Sequence, residues 1–482
     1  MKRWLPLLCS VAVLAAGWNP PANAQSVDPE HYLDQFVDRS TSPRDDFFQF
    51  AVGKWLKDNP IPAAERSWGI AHVVQEETYR RLIAISDAAA GNTSAPAGSN
   101  AQKIGDFWAV AMDSAANARL GLQPLAEEFA RIEAVKDRAG LVAVVARLHR
   151  IGAGGLFSAP IFQDERHSDR VVLHLYQGGL GLPNRDYYFD ADARSRLLRR
   201  EYVVHVARMF GLLGEDSLRA RAHAATVMRI ETELARASRK LEALRDPIAN
   251  YNAMPVAGLD RLAPSIRWKD YLDQGHYGAI DTVVVGQPEF YRQVEKSLRA
   301  HPLAEWKSYL RWHLVSAFAS EAGGRYDAEQ FHFYGTILNG TVSQRPRWKR
   351  MLDEEEGYLG DALGQLYVQQ YFSPAARARY GRLTDEIFDA FRGRIRGLDW
   401  MSDSTKAHAL RKLAAVTKKV GYPDKWKDYS SYVVDRTSFI GNCLRGNLWQ
   451  TDYDIAKLHK PVDRTEWDMT PQTYNAYYNP SN

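Results

Sequence analysis

Two cysteines in 482 residues leave this chain with almost no thiol chemistry. Cys9 falls in the N-terminal apolar run, so only Cys443 remains beyond it, and one thiol closes no internal disulfide. Long hydrophobic runs are missing as well. No apolar stretch reaches the ~20 residues that span a bilayer, which excludes a membrane-spanning segment after the leader. A charge excess of one sign is also lacking: 62 Lys and Arg stand against 58 Asp and Glu, a net +4. With both signs interspersed, the electrostatic case for a nucleic-acid partner disappears. Repeats and low-complexity tracts are absent too.

What is there begins with an export signal. Lys2 and Arg3 precede the apolar stretch Leu5 to Ala16, and Ala22-Asn23-Ala24 supplies a small-x-small cleavage site. Residues 1–24 therefore read as a signal peptide cut before Gln25, sending the chain to the periplasm or beyond the cell. The remainder is 45% apolar and 11% aromatic by overall composition, enough for a large core without disulfides.

Helical periodicity dominates. Leu141, Val144, Val145 and Leu148 repeat at i, i+3, i+4, i+7, and Leu125, Phe129 and Ile132 follow a related pattern. Ser195 to Gly211, Ser217 to Leu244, Pro374 to Leu398 and Ser404 to Val420 read as amphipathic helices. Ser402 or Asp403 would cap the last, and Gly421-Tyr422-Pro423 would end it. Leu156 to Asp164 and Val171 to Gln177 read as a short β-hairpin, Val283 to Val285 as a further strand, and Ala90 to Ala101 as an exposed loop. The sequons at Asn92 and Asn339 are taken as chance. The expected class is mainly α, with a small hairpin.

Several unusual strings occur in a fixed order. Asp45-Asp46-Phe47-Phe48-Gln49-Phe50-Ala51-Val52-Gly53-Lys54-Trp55-Leu56 comes first, then Ile61-Pro62 and Arg66-Ser67-Trp68-Gly69. Leu182-Pro183-Asn184-Arg185-Asp186-Tyr187-Tyr188 follows, then Glu231 and Glu233 on one helix, Asn250-Tyr251-Asn252, and Gln344-Arg345-Pro346-Arg347-Trp348-Lys349. Trp400-Met401, Gly421-Tyr422-Pro423-Asp424-Lys425-Trp426 and Asn475-Ala476-Tyr477-Tyr478-Asn479-Pro480 complete the series. Read singly, most are packing motifs: Phe47, Phe48, Phe50 and Trp55 would pin the N-terminal segment to a core. Arg345, Arg347 and Lys349 would make surface pairs around Trp348.

In this order the strings resemble the neprilysin and endothelin-converting-enzyme family of zinc metallopeptidases, over Asp45 to Asn482. The resemblance implies an exported or membrane-anchored endopeptidase that cuts oligopeptides in a cavity between a helical N-terminal domain and a thermolysin-like catalytic domain. It places the helical domain at 25–424 and a lead-in to the catalytic domain at 425–482. By motif match Asn475 and Ala476 would bind substrate backbone from an edge strand. Arg66 would reach the substrate's C-terminal end; its bland alternative is a surface salt bridge.

The family's zinc is held by a His-Glu-x-x-His helix and a downstream Glu, leaving a fourth position for activated water. None of the 13 His residues here belongs to such a motif. His72 and Glu76 share a helical face without a third ligand, and His167 and His174 flank the hairpin turn without an acidic partner. No catalytic residue, metal ligand or zinc is therefore assigned within this sequence. The zinc helix would follow the Asn-Ala-Tyr-Tyr string, so the sequence reads as truncated before it and inactive alone. A missing catalytic domain is a possible partner under this reading. A non-catalytic exported module that binds peptides or a partner, or one half of a split peptidase, is the alternative. The last ~60 residues would then be loosely held, for want of a partner surface.

Overall fold

Apolar residues recurring at helical spacing produce helices along most of the chain. The computed structural model describes residues 32–479, so the expected signal peptide at 1–24 lies outside them. The chain divides into two units, Met1–Pro62 and Ala63–Asn482.

In the first unit a helix runs from Phe47 to Asp58. Asp46 starts it by accepting a hydrogen bond from the Gln49 N–H at 2.8 Å. Gly53 is its buried position, close against Asp38, where a Cβ would meet the Asp38 side chain at 2.9 Å. Phe50 and Trp55 are half-buried, whereas Phe47 and Phe48 remain exposed. Both sit in the first turn.

The second unit is built on long helices, including Ile70–Gly91, Asn100–Met112, Ala193–Leu212, Ser217–Ala237, Leu303–Ala322 and Arg347–Tyr371. Trp268, Trp306, Trp312, Tyr202, Tyr271, Tyr291 and Tyr309 are fully buried in its core. Such rings each bury 150–250 Å² of apolar surface, on the usual range for aromatic side chains. The Asn92–Ser99 connection is the expected loop, bounded by helices ending at Gly91 and starting at Asn100.

The expected hairpin belongs to a five-stranded sheet: β1 (Phe157–Ser158), β2 (Ile161–Gln163), β3 (Val171–Gln177), β4 (Asn252–Pro255) and β5 (Thr282–Val285). The order is β1-β3-β5-β4, with β2 also on β3. β2 and β3 do form a hairpin, Phe162 opposite Val172. Its other strand is split, because Pro160 has no N–H to offer the ladder and instead accepts from His174 N–H at 2.9 Å. The continuous apolar run of β3 is matched by burial on both faces, as parallel pairing with β5 requires.

Two helix ends differ from the periodic reading. The helix begun at Ser217 stops at Ala237 and a short turn, Leu241–Leu244, follows. Ser402 caps Asp403–Ala414 by accepting from Thr405 N–H, but that helix ends before Gly421 is reached. Within the last ~60 residues one helix is well packed, whereas residues 473–478 are exposed and outside any helix or strand. The helix Phe439–Ile455 buries Ile440, Asn442, Cys443 and Trp449, with Asn442 and Cys443 inaccessible. Trp449 stacks on Tyr429 at 4.5 Å and Tyr453 at 5.5 Å between centroids. Tyr474, Tyr477 and Tyr478 of the final stretch, by contrast, stand exposed.

Candidate peptide-binding surface

Arg66 lies on the exposed segment before the Ile70–Gly91 helix, and its Nη1 donates to Asn339 Oδ1 at 2.6 Å. The partner is an amide, so the expected surface salt bridge is not what holds this guanidinium. Asn339 stands at the end of a π-helix, Phe331–Leu338, a rare geometry that tends to occur at functional sites. Asn339 Nδ2 also donates to Tyr334 O at 2.6 Å, so both ends of the amide are used. Gly335 is required inside the π-turn, because a Cβ there would strike the Phe331 ring.

The residues flanking Arg66 are tied down by the Gln344–Lys349 string. Glu65 pairs with Arg345 at 3.5 Å and Lys349 at 3.6 Å. Lys349 also pairs with Glu76, while Arg345 reaches Asp353 at 2.6 Å and Tyr79 Oη at 2.9 Å. Arg347 donates to Ala111 O at 2.9 Å and Gln344 to Asp327 at 2.8 Å. These are half-buried or buried clamps between helices, stronger than the surface pairs expected of them. Burial raises the Tyr79 hydroxyl to about 12, keeping it a neutral donor to Asp353.

Asn475 and Ala476 are exposed and lie outside any strand. Asn475 N–H donates to Thr473 O at 3.0 Å, and Asn475 Oδ1 accepts from Ala476 N–H at 2.8 Å. An edge strand needs a neighbouring strand to template it, and none among the described residues pairs here. No hydrogen bond, ion pair or ring contact among the described residues joins Arg66 to Asn475 or Ala476.

A second constellation surrounds the Leu182–Tyr188 string. Glu231 is fully buried and accepts from Tyr188 Oη at 2.7 Å and Tyr202 Oη at 2.9 Å. Tyr202 accepts in turn from Trp312 Nε1 at 2.9 Å, and Tyr188 from Leu182 N–H at 3.1 Å. Burial pushes the Glu231 carboxyl up to about 7 against the pull of these donors. A Cβ at Gly181 would run into the Tyr202 hydroxyl, so the network needs glycine there. This string anchors the core.

A catalytic zinc needs three protein ligands converging on one point. Among the described residues no group of three or more His, Cys, Asp or Glu does so. The imidazoles that meet carboxylates have other uses. His301 bonds Glu305 through Nδ1 at 2.7 Å and Glu233 through Nε2 at 3.0 Å, and Arg229 pairs with Glu305 at 2.6 Å. His174, stacked on Phe162 at 3.5 Å, meets Glu165 at 3.3 Å, an acidic partner that sequence reading did not find. His72 stacks on Trp68, and Glu76 is committed to Lys349. These donor sets do not fit zinc.

Asn339 was passed over in sequence as a chance sequon. Nothing in its string signals contact with Arg66, since 273 residues separate them. The order of the strings, by contrast, is matched closely by known proteins. The family model for peptidase family M13, in its N-terminal form, matches residues 43–423. Human endothelin-converting enzyme-like 1 is 28% identical over 475 residues, covering 93% of this chain and 60% of its own. Rat endothelin-converting enzyme 1 is 27% identical over 92% of this chain, again with 60% of its own length matched. The crystal structure of the Mycobacterium tuberculosis zinc metalloprotease ZMP1 with an inhibitor is 36% identical, with a TM-score of 0.86, covering 92% of this chain and 67% of that one. PepO of Lactobacillus rhamnosis shares the fold at 19% identity and a TM-score of 0.81.

Helical architecture and ordered strings together define a member of the zinc metallopeptidases. The chain belongs to peptidase family M13, the family of neprilysin and the endothelin-converting enzymes. It spans about 60% of the length of the curated relatives it matches.

Proposed function

We propose that this chain serves proteolysis of oligopeptides outside the cytoplasm as the helical, substrate-holding part of an M13 metalloendopeptidase. In this reading residues 25–424 form the helical domain and 425–482 lead toward the catalytic half. Arg66 and the Asn475–Ala476 backbone hold peptide, while zinc and the activated water come from ligands not present in this sequence. The observation that carries it is the M13 match over 43–423 in a chain with no His-Glu-x-x-His. Arg66 supports it by standing exposed on a neutral amide, leaving its charge available to a carboxylate. The leader at Lys2 to Ala24 supports export to the periplasm or beyond. No helix among the described residues is long and apolar enough to cross a membrane.

Pure protein, with and without added zinc, is tested on a quenched oligopeptide for cleavage and on a labelled peptide for binding. The expected result is binding without turnover, with Arg66→Ala weakening affinity about tenfold, the loss of roughly one charge-assisted hydrogen bond. Zinc-dependent cleavage abolished by a chelator would overturn the division of labour. Binding unaffected by Arg66→Ala would remove Arg66 from the site.

A further inference from the structure

Two helices near the end of the M13 match differ from the rest of the second unit. Neither Pro374–Arg396 nor Asp403–Ala414 buries a residue, whereas every other helix longer than ten residues there buries at least five. A helix in a folded protein draws most of its stability from packing an apolar face. These two lean on each other instead. Lys418, just beyond the second helix, pairs with Asp385 of the first and lies 5.2 Å from the Phe388 ring centre. Arg377 ties the first helix to Asp424 at 2.9 Å.

The first helix nevertheless has the pattern of a packed one. Tyr380, Leu383, Ile387 and Phe391 recur at i, i+3, i+7, i+11 along one face, each about half exposed. Trp400, in the connection to the second helix, is more exposed still. Arg379, four residues before Leu383, and Arg394, three after Phe391, close the two ends of the stripe ~22 Å apart. Arg377 and Arg392 have carboxylate partners, but neither Arg379 nor Arg394 has one among the described residues.

Charge and composition narrow the occupant. Between 374 and 420, Lys and Arg outnumber Asp and Glu eleven to five, an excess of six in a chain whose whole excess is four. The surface that covers the stripe is therefore acidic at its rim. All six cations of the first helix are Arg. Protein interfaces are enriched in Arg and aromatic residues and depleted in Lys, which favours a protein over an anionic lipid surface. The relatives also carry polypeptide that nothing here matches, since this chain spans about 60% of their length and 67% of the ZMP1 chain.

We propose that the Tyr380–Phe391 stripe is the seat of the catalytic half of an M13 polypeptide, which covers it with an apolar surface and sets carboxylates against Arg379 and Arg394. This rests on the reading of the chain as the helical part of an M13 metalloendopeptidase. It places the docking surface inside the 25–424 region, not in the lead-in at 425–482.

For the test, the whole chain is tagged and co-expressed with the part of the ZMP1 polypeptide that lies outside the match to it. Co-elution in equal amounts is expected, falling about tenfold or more in Leu383→Lys/Ile387→Lys. That variant changes a face that buries nothing, and unfolding at the wild-type temperature shows that it is folded. Thiol labelling of Leu383→Cys reads the same face directly, because Cys443 is buried. It should be about tenfold slower or more in the complex than in the chain alone. No co-elution of the wild type, or co-elution undiminished in the variant, would overturn the proposal. So would binding to phosphatidylglycerol vesicles, or a stable dimer, that the same variant abolishes, since either gives the stripe to another occupant. Neither peptide nor zinc takes part, so co-elution would stand even if peptide binding failed, and peptide binding would stand if co-elution failed.

Discussion

Glu231 and His313 show how little room the core leaves for charge. Both are buried, with Glu231 Oε1 and His313 Nε2 3.6 Å apart, and each is held in its neutral form by desolvation. His313 is lowered to about 3 and His149 to about 4, while Glu231 is raised to about 7. The signs of their effects on stability are opposite. A carboxyl raised in the folded state contributes stability that is fully present below its unfolded value near 4.5 and lost as pH rises to 7. The lowered imidazoles contribute stability present above 6.5 that is lost as pH falls toward 4 and 3. Glu321 and Glu355 extend the alkaline loss to about 8. Thermal unfolding followed over pH should therefore show a maximum between about 5 and 6.5, with a decline already evident at 8. A flat profile from 6.5 to 8 would contradict the neutral buried carboxyls. At the same scale, Tyr188→Phe removes one donor to Glu231 and should lower stability by about 1–2 kcal/mol in chemical denaturation.

At the scale of elements, close approach depends on particular glycines. Gly105 lets Asn100–Met112 cross Ile70–Gly91 in backbone contact, because a Cβ there would strike the Ala89 carbonyl. Neither helix backbone can yield cheaply, so Gly105→Ala should destabilise by about 2–3 kcal/mol or prevent folding. Gly335→Ala should distort the π-turn, displace Asn339 and, on the proposed function, weaken peptide binding by about as much as is expected of Arg66→Ala. Binding at wild-type strength in a folded Gly335→Ala protein would separate Asn339 from the Arg66 site. The Pro374–Arg396 helix behaves differently, since it buries no residue. Tyr380, Leu383, Ile387 and Phe391 form an exposed stripe at i, i+3, i+7, i+11 along it. Exposed apolar stripes promote association. Replacing Leu383 and Ile387 by Lys should reduce concentration-dependent light scattering without lowering the unfolding temperature.

For the whole molecule, a direct prediction follows from the described residues, among which no group of three or more His, Cys, Asp or Glu could hold a metal ion. Addition of zinc or of a chelator should leave the unfolding temperature of this chain unchanged, since a ligand stabilises only the state that binds it. A rise with stoichiometric zinc would contradict this by revealing a metal site. Family membership was legible because the strings mark local, indispensable structure: Tyr188 anchors Glu231, and Arg345 to Lys349 clamp three helices. The five-stranded sheet was not legible. β5 pairs with β3 more than a hundred residues away, and β4, Asn252–Pro255, is four residues long and ends in a proline, too short to declare itself a strand.

What the sequence determined by itself is what local pattern can carry: helical periodicity, helix caps such as Ser402 and the ordered M13 strings. What the tertiary structure decided is how groups distant in sequence share one environment. Arg66 meets Asn339, Ser86 meets Glu355, and Gln472 meets Gly360 only because helices pack. The same packing removes water from Glu321 and Glu355 without providing a counter-charge. Whether an acidic side chain is charged is a property of that shared environment, and no reading of the residue alone contains it.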